Sequence, residues 1–163
     1  MKRYKKWLAI PAAIVIVVSI LPGFASPNAD TIGINLIKER ANILQQTLYG
    51  QMSRQEAERR LAHIQTHPLL SQDIQSIRAW EPAELDVIRR MHIDTFDQVR
   101  NALNYLTYQA VIYWDMTGLN GNYTVKGTYH VVLKRENDHY RLSIFEPIHE
   151  EIVTTNRMAF EIF

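Results

Sequence analysis

The hydrophobic pattern of this chain begins with one long apolar run near the N-terminus. The run covers 19 residues, from Trp7 to Ala25, is almost uninterrupted, and is broken by Pro22-Gly23. Four cations come before it: Lys2, Arg3, Lys5 and Lys6. Basic residues ahead of an apolar run orient such a segment with its N-terminus in the cytoplasm. The sequence therefore predicts that everything after this run is exported.

Two interpretations of residues 1–26 stay open. The length favours a single transmembrane anchor, since a span needs about 20 apolar residues and a signal peptide has about 7–15. The break at Pro22-Gly23 favours a cleaved signal peptide, because Gly23 and Ala25 place small residues at −3 and −1 of a cut before Ser26. We therefore predict a membrane-anchored protein with an extracytoplasmic C-terminal domain, or a secreted one, with residues 27–30 as a linker.

Three helices are predicted next from apolar positions at helical spacing. The first covers residues from Thr31 to Tyr49 and the second from Arg54 to about Thr66. Ser53 and Glu56 form a capping-box pattern at the start of the second helix. The third is short and ends at about Trp80.

The pattern then changes to one typical of strands. A weak strand is predicted over residues 86–93, and a strong aromatic and β-branched strand over residues 107–117. Residues 123–135 alternate between apolar and polar positions, and a last strand follows over residues 140–146. Residues 94–105 stay open between helix and strand. Their apolar positions fall at helical spacing: Phe96, Val99, Leu103 and Leu106.

Short turns between the later strands predict an antiparallel meander. Helices followed by such a meander indicate an α+β domain, with two or three helices packed on a curved antiparallel sheet of about four strands. We place this domain at residues 31–147 and an apolar C-terminal tail at residues 148–163.

A resemblance to a known family rests on the last two predicted strands. Residues 121–134 (GNYTVKGTYHVVLK) are predicted to form a strand. Residues 138–144 (DHYRLSI) follow with a polar turn and a strand that opens with an aromatic residue. This order resembles the cone-shaped α+β superfamily named after nuclear transport factor 2, over roughly residues 31–147. The front hairpin of many members is missing between Pro82 and Asp94. Because the superfamily includes enzymes, ligand-binding proteins and scaffolds, the resemblance does not by itself set the function.

Charge and cysteine content exclude some classes of function. Four of the 18 basic residues lie in the first six positions, which leaves 14 basic against 17 acidic residues in the predicted exported part. A slightly acidic domain without a basic stripe does not fit nucleic-acid binding. The chain has no cysteine, so packing rather than disulfides must hold the domain together.

His63 and His67 have the spacing of two metal ligands on one helix face. No third ligand is evident, and the second position of this motif is Ile64 rather than the glutamate of a metalloprotease. A histidine near a helix C-terminus also interacts favourably with the helix dipole. We therefore predict no metal and no cofactor, with these two histidines as weak candidates.

A possible pocket surrounds Asp115, which lies in the aromatic strand. In a cone-shaped fold the concave sheet face lines a cavity, where a carboxylate can act as a general base. The alternative is that Asp115 faces solvent while the aromatic side chains pack in the core. Ligand binding is favoured over catalysis. The candidate pocket residues are His92, Tyr108, Tyr113, Asp115 and Tyr129.

The C-terminal tail offers a second candidate site, because an exposed apolar segment is a docking surface. Its apolar residues are Met158, Phe160, Ile162 and Phe163. Together these patterns predict an exported bacterial envelope protein with a non-enzymatic protein-binding or assembly role. A protein partner or self-association is expected, with membrane contact through residues 7–25 if the leader is uncleaved. The alternative is a ligand-binding or catalytic cone around Asp115.

Overall fold

The computed structural model describes residues 28–80, 86–118 and 121–156. These residues form three helices and then four strands, which confirms the predicted α+β class. The elements are α1 (Ala29–Leu48), α2 (Arg54–Ile64), α3 (Leu69–Ala79), β1 (Val87–Ala102), β2 (Tyr105–Gly118), β3 (Gly121–Glu136) and β4 (His139–Asn156).

Two predicted features, the leader (residues 1–26) and the apolar side chains at positions 158–163, lie outside the described residues. None of the three described helices is long and apolar enough to cross a membrane.

The start of α2 follows its sequence signature in part. The Ser53 hydroxyl accepts a hydrogen bond from the Glu56 amide at 3.2 Å, as a capping box requires. The Glu56 carboxylate does not reach back to the cap, because it binds the Arg59 guanidinium at 2.8 and 3.0 Å. The predicted cap therefore forms with one of its two hydrogen bonds.

The end of α2 lies two residues before the predicted one. Gln65 is extended and forms a bridge with Leu142 of β4, and the Thr66 amide donates to the Leu142 carbonyl at 2.8 Å. Pairing with the sheet edge therefore replaces the last helical turn that residue spacing alone predicts.

The sheet is an antiparallel meander in the order β1-β2-β3-β4, as predicted. The open question at residues 94–105 is resolved in favour of a strand, since β1 runs to Ala102 and a tight turn leads into β2. The last strand is longer than predicted, because β4 continues past Glu146 to Asn156.

Both edge strands carry three register shifts, spaced five residues apart. The extra residues are Arg89, Asp94 and Val99 in β1, and Ser143, Ile148 and Val153 in β4. A bulge adds one residue to one strand of a pair and bends that strand. Each bulge also reverses the alternation of buried and exposed positions, which explains why the sequence pattern of β1 is weak and why the sequence predicts β4 only as far as Glu146.

The three helices pack on one face of the sheet. Ile37 of α1 and Leu69 of α3 join a buried cluster with residues from β2, β3 and β4. Gly33 allows close contact, since a Cβ at this position would lie 2.7 Å from the Phe96 ring. The sheet residues of this cluster are Leu106, Tyr108, Ala110, Ile112, Tyr129, Val131, Leu133 and Leu142.

A buried polar cluster connects the helices beneath this core. The Arg40 guanidinium binds both Asp73 carboxylate oxygens, at 2.7 and 2.8 Å. Gln65, which is fully buried, donates to Asp73 at 2.6 Å. These contacts join α1, α3 and the end of α2 through charged hydrogen bonds.

Candidate functional site

The structure distributes the five predicted pocket residues over both faces of the sheet. Tyr108 and Tyr129 are buried on the helix-covered face. His92 pairs with Tyr113 across β1 and β2, and both lie on the opposite face with Asp115. Successive strand residues point to opposite faces, so Tyr108 and Tyr113 cannot share a face within the regular strand β2. The structure therefore does not bring the five residues together.

On the outer face, Asp115 is half-buried and accepts a hydrogen bond from the Thr124 hydroxyl at 2.9 Å. His92 is exposed, and its ring centroid lies 6.5 Å from that of Tyr113. This arrangement fits cross-strand packing on a solvated face.

The two candidate metal ligands, His63 and His67, are both exposed. Because α2 ends at Ile64, their four-residue spacing is not helical as predicted. The His67 Nδ1 lies 2.5 Å from the Ser71 hydroxyl oxygen. Within the described ranges no group of three or more His, Asp or Glu side chains could hold a metal ion.

An open groove of about 270 Å³ lies on the helix-covered face, near the ends of β2 and β4. The described residues that line it all belong to the sheet, and most are apolar. They are Ile88 of β1, Trp114 and Met116 of β2, Val125 and Tyr129 of β3, and Glu150 of β4. Among the pocket residues predicted from the sequence, this groove contains Tyr129 alone.

A chain of hydrogen bonds forms the polar part of this groove. The Trp114 indole Nε1–H donates to the Tyr129 hydroxyl at 2.8 Å, and that hydroxyl donates to Glu150 Oε1 at 2.5 Å. Burial raises the pKa of Tyr129, and the hydrogen bond to the Glu150 carboxylate raises it further. The hydroxyl therefore stays protonated at neutral pH and keeps the carboxylate in place.

Gly127 determines where the Tyr129 ring lies. Gly127 pairs with Glu150 across β3 and β4, two residues before Tyr129 on the same face. A Cβ on Gly127 would lie 2.6 Å from Tyr129 Cζ, closer than real Cβ atoms approach. The absence of a side chain therefore allows the ring to lie along the sheet, with its hydroxyl directed at Glu150.

Phe145 of β4 is an aromatic neighbour of the Tyr129 ring. The two rings stack with centroids 4.7 Å apart, and the Arg40 guanidinium lies 4.9 Å from the Phe145 centroid. Arg40 is held by Asp73. The buried polar cluster between the helices therefore contacts Phe145, which in turn stacks on the Tyr129 ring of the groove.

Glu150 gives the groove one negatively charged end. Its Oε1 accepts the Tyr129 hydrogen bond, and its Oε2 has no hydrogen-bond or ion-pair partner among the residues that the structure describes. The sequence contains a partial signal for this site. Trp114 continues the series of every second residue formed by Tyr108, Ala110 and Ile112, and therefore lies on the same face of β2. Glu150 could not be found in this way, because the bulges at Ile148 and Val153 interrupt the alternation of β4.

No known protein-family model matches the sequence, and no curated protein matches it.

Proposed function

We propose that this protein is an exported, non-enzymatic protein-binding domain whose groove receives a side chain of a partner. In this proposal residues 7–25 hold the chain in the membrane, or the domain is secreted after cleavage. The observation that carries the proposal is the open, largely apolar groove, in which Glu150 is the one carboxylate among the described lining residues.

The size of the groove supports a side chain as its occupant. Pockets for small molecules usually have volumes of about 300–1,000 Å³ and enclose most of the ligand. The groove here measures about 270 Å³ and is open to solvent. A protein partner can insert one side chain there and bury the surrounding surface with the rest of its interface.

Exposed apolar residues beside the groove also support a protein partner. Ile152 pairs with Val125, which lines the groove, and Ile152 is 65% exposed. Ile148 and Val153 in the same strand are 61% and 44% exposed. Clustered exposed apolar side chains are typical of interaction surfaces rather than of free protein surface.

Membership of the superfamily named after nuclear transport factor 2 is part of this proposal. Three helices on one face of a four-stranded antiparallel sheet are compatible with a cone-like fold. The alternative function around Asp115 has less support from the geometry, because this carboxylate lies on the opposite face of the sheet from the groove.

Site-specific photo-cross-linking in the native host tests the proposal. A benzophenone amino acid replaces Ile152 beside the groove or Val99 in β1, which has a similar exposure of 59%. We expect a discrete protein adduct from position 152 that is absent from position 99. The adduct should be lost when Val125→Glu places a charge in the groove. Equal adducts from both positions, or an adduct that Val125→Glu does not affect, would contradict the proposal.

A further inference from the structure

We propose that the side chain which enters the groove is a lysine or arginine of the partner, with its alkyl stem on the apolar wall and its charge at Glu150. This inference rests on the proposed protein-binding function and specifies the chemistry of its occupant.

The apolar wall fits the stem of a long cationic side chain. Ile88, Met116 and Val125 supply aliphatic and thioether surface from three adjacent strands. Lysine and arginine bury their methylene stems along such surface and keep the charged head group near water. The open side of the groove leaves room for this water.

The carboxylate lies where the head group would end. Glu150 Oε1 is held by the Tyr129 hydroxyl, so the carboxylate is oriented before a ligand arrives. Its Oε2 has no partner among the described residues and can accept a charge-assisted hydrogen bond, which is stronger than a neutral one. Trp114 borders the same space, and an indole is the aromatic group that attracts cations most strongly.

The nearby cation of the protein itself does not neutralise this site. The Arg40 charge acts on Tyr129, but its guanidinium binds both oxygens of Asp73. No ion pair with Glu150 occurs within the described part of the chain. Among the described residues no cation compensates the Glu150 charge that an anionic ligand would meet, so charge complementarity favours a cationic side chain.

A panel of matched peptides tests this inference on the full-length chain in an uncharged detergent. The peptides are acetyl-Gly-Val-X-Val-Gly-amide, where X is lysine, arginine, norleucine or glutamate. Norleucine keeps the alkyl stem of lysine without its charge. We expect the lysine and arginine peptides to bind at least about fivefold more tightly than the norleucine peptide, given one charge-assisted hydrogen bond and one cation–π contact.

Two glutamine variants locate the effect. Glu150→Gln keeps an acceptor for the Tyr129 hydroxyl and removes the charge, so the preference for lysine over norleucine should disappear. Glu151→Gln removes the same charge from the adjacent residue, which lies on the opposite face beside Lys126. This control should keep the preference.

The outcomes separate the two proposals. Equal binding of the lysine and norleucine peptides, both lost in Val125→Glu, would overturn the cationic occupant and leave the binding groove in place. A preference for lysine that is lost equally in both glutamine variants would overturn the inference, since it would reflect overall charge. Failure of every peptide together with absence of the cross-linked adduct would overturn both proposals.

Discussion

The Trp114 indole N–H donates a hydrogen bond to the Tyr129 hydroxyl across 2.8 Å, and the two rings meet edge to face with centroids 6.3 Å apart. The pair joins β2 to β3 on the helix-covered face. Because the same hydroxyl donates to Glu150, one phenol connects three strands of the sheet. The shape of the groove therefore depends on Tyr129.

Tyr129→Phe removes this hydroxyl and should destabilise the protein by about 1–2 kcal/mol. The cost arises because the indole N–H and the carboxylate both lose a hydrogen-bond partner in a partly buried place. Urea denaturation followed by circular dichroism measures the change. Tyr105→Phe is the control, since Tyr105 is 44% exposed and should tolerate the change without loss. Equal stability of both variants would show that the hydrogen-bond chain contributes nothing.

Gly127→Ala should displace the Tyr129 ring and cost about 1–3 kcal/mol, which is typical of overpacking in a well-packed place. The measurement is a double-mutant cycle with Tyr129→Ala. When the ring is absent, the added methyl group has space and should cost much less, so the two changes should be non-additive. Additive losses would mean that the methyl group does not clash with the ring.

The buried Arg40–Asp73 pair should be far more sensitive to mutation than an exposed pair of similar geometry. Asp73→Ala removes the acceptor of both the Gln65 amide and the Arg40 guanidinium, which is largely buried. The loss should lower the free energy of unfolding by about 3 kcal/mol or more. The control is Glu58→Ala, which breaks an ion pair with Arg78 at 2.7 Å near the surface. Exposed ion pairs contribute little because solvent screens them. Equal losses of unfolding free energy in the two variants would contradict this difference.

Glu136 should contribute to the loss of stability in acid. Its hydrogen bond to Lys134 is the largest cause that holds the pKa of this carboxyl below its usual value, with Thr66 and Arg141 acting in the same direction. Because the folded pKa is lowered, the contribution is complete above the unfolded pKa of about 4.3 and is lost as the pH falls through the folded pKa.

Stability measured by urea denaturation from pH 6 to pH 3 tests this prediction. We expect Glu136→Gln to have a flatter acid limb, meaning a smaller fall in the free energy of unfolding between pH 6 and pH 3, than the natural chain. Glu146→Gln, an exposed carboxyl in β4 without an ion pair in the described part of the chain, should leave the acid limb unchanged. An unchanged acid limb in Glu136→Gln would contradict the predicted role.

The sequence pattern predicts most of the elements because periodicity and turn chemistry are local. Ser53 marks the start of α2, and the Asn137-Asp138 turn, where both residues have positive φ, connects β3 to β4 as expected. The clean alternation over residues 123–135 gives the correct faces of β3. In that strand Tyr129, Val131 and Leu133 are buried, as expected for alternate positions that all face the helices.

The candidate site was harder to predict because it depends on pairing between distant residues. Nothing in the local sequence indicates that Glu150 lies opposite Gly127, since two bulges lie within β4 on either side of it. Tyr108 cannot line one pocket with Tyr113 and Asp115, because the alternation of a regular strand places Tyr108 on the opposite face from these two residues. The same alternation places Trp114 on the face of Tyr108, and in the structure Trp114 packs against the core cluster that contains Tyr108.

The most direct test of the groove is the Trp114 indole N–H resonance of the full-length chain during titration with the lysine peptide. The chain has three tryptophans, so the spectrum of Trp114→Phe assigns the signal. We expect this resonance to shift and to reach saturation in the natural chain, and we expect Glu150→Gln to weaken the response while Glu151→Gln does not. A Trp114 resonance that stays in place while the peptide demonstrably binds would contradict the claim that the groove is the binding site.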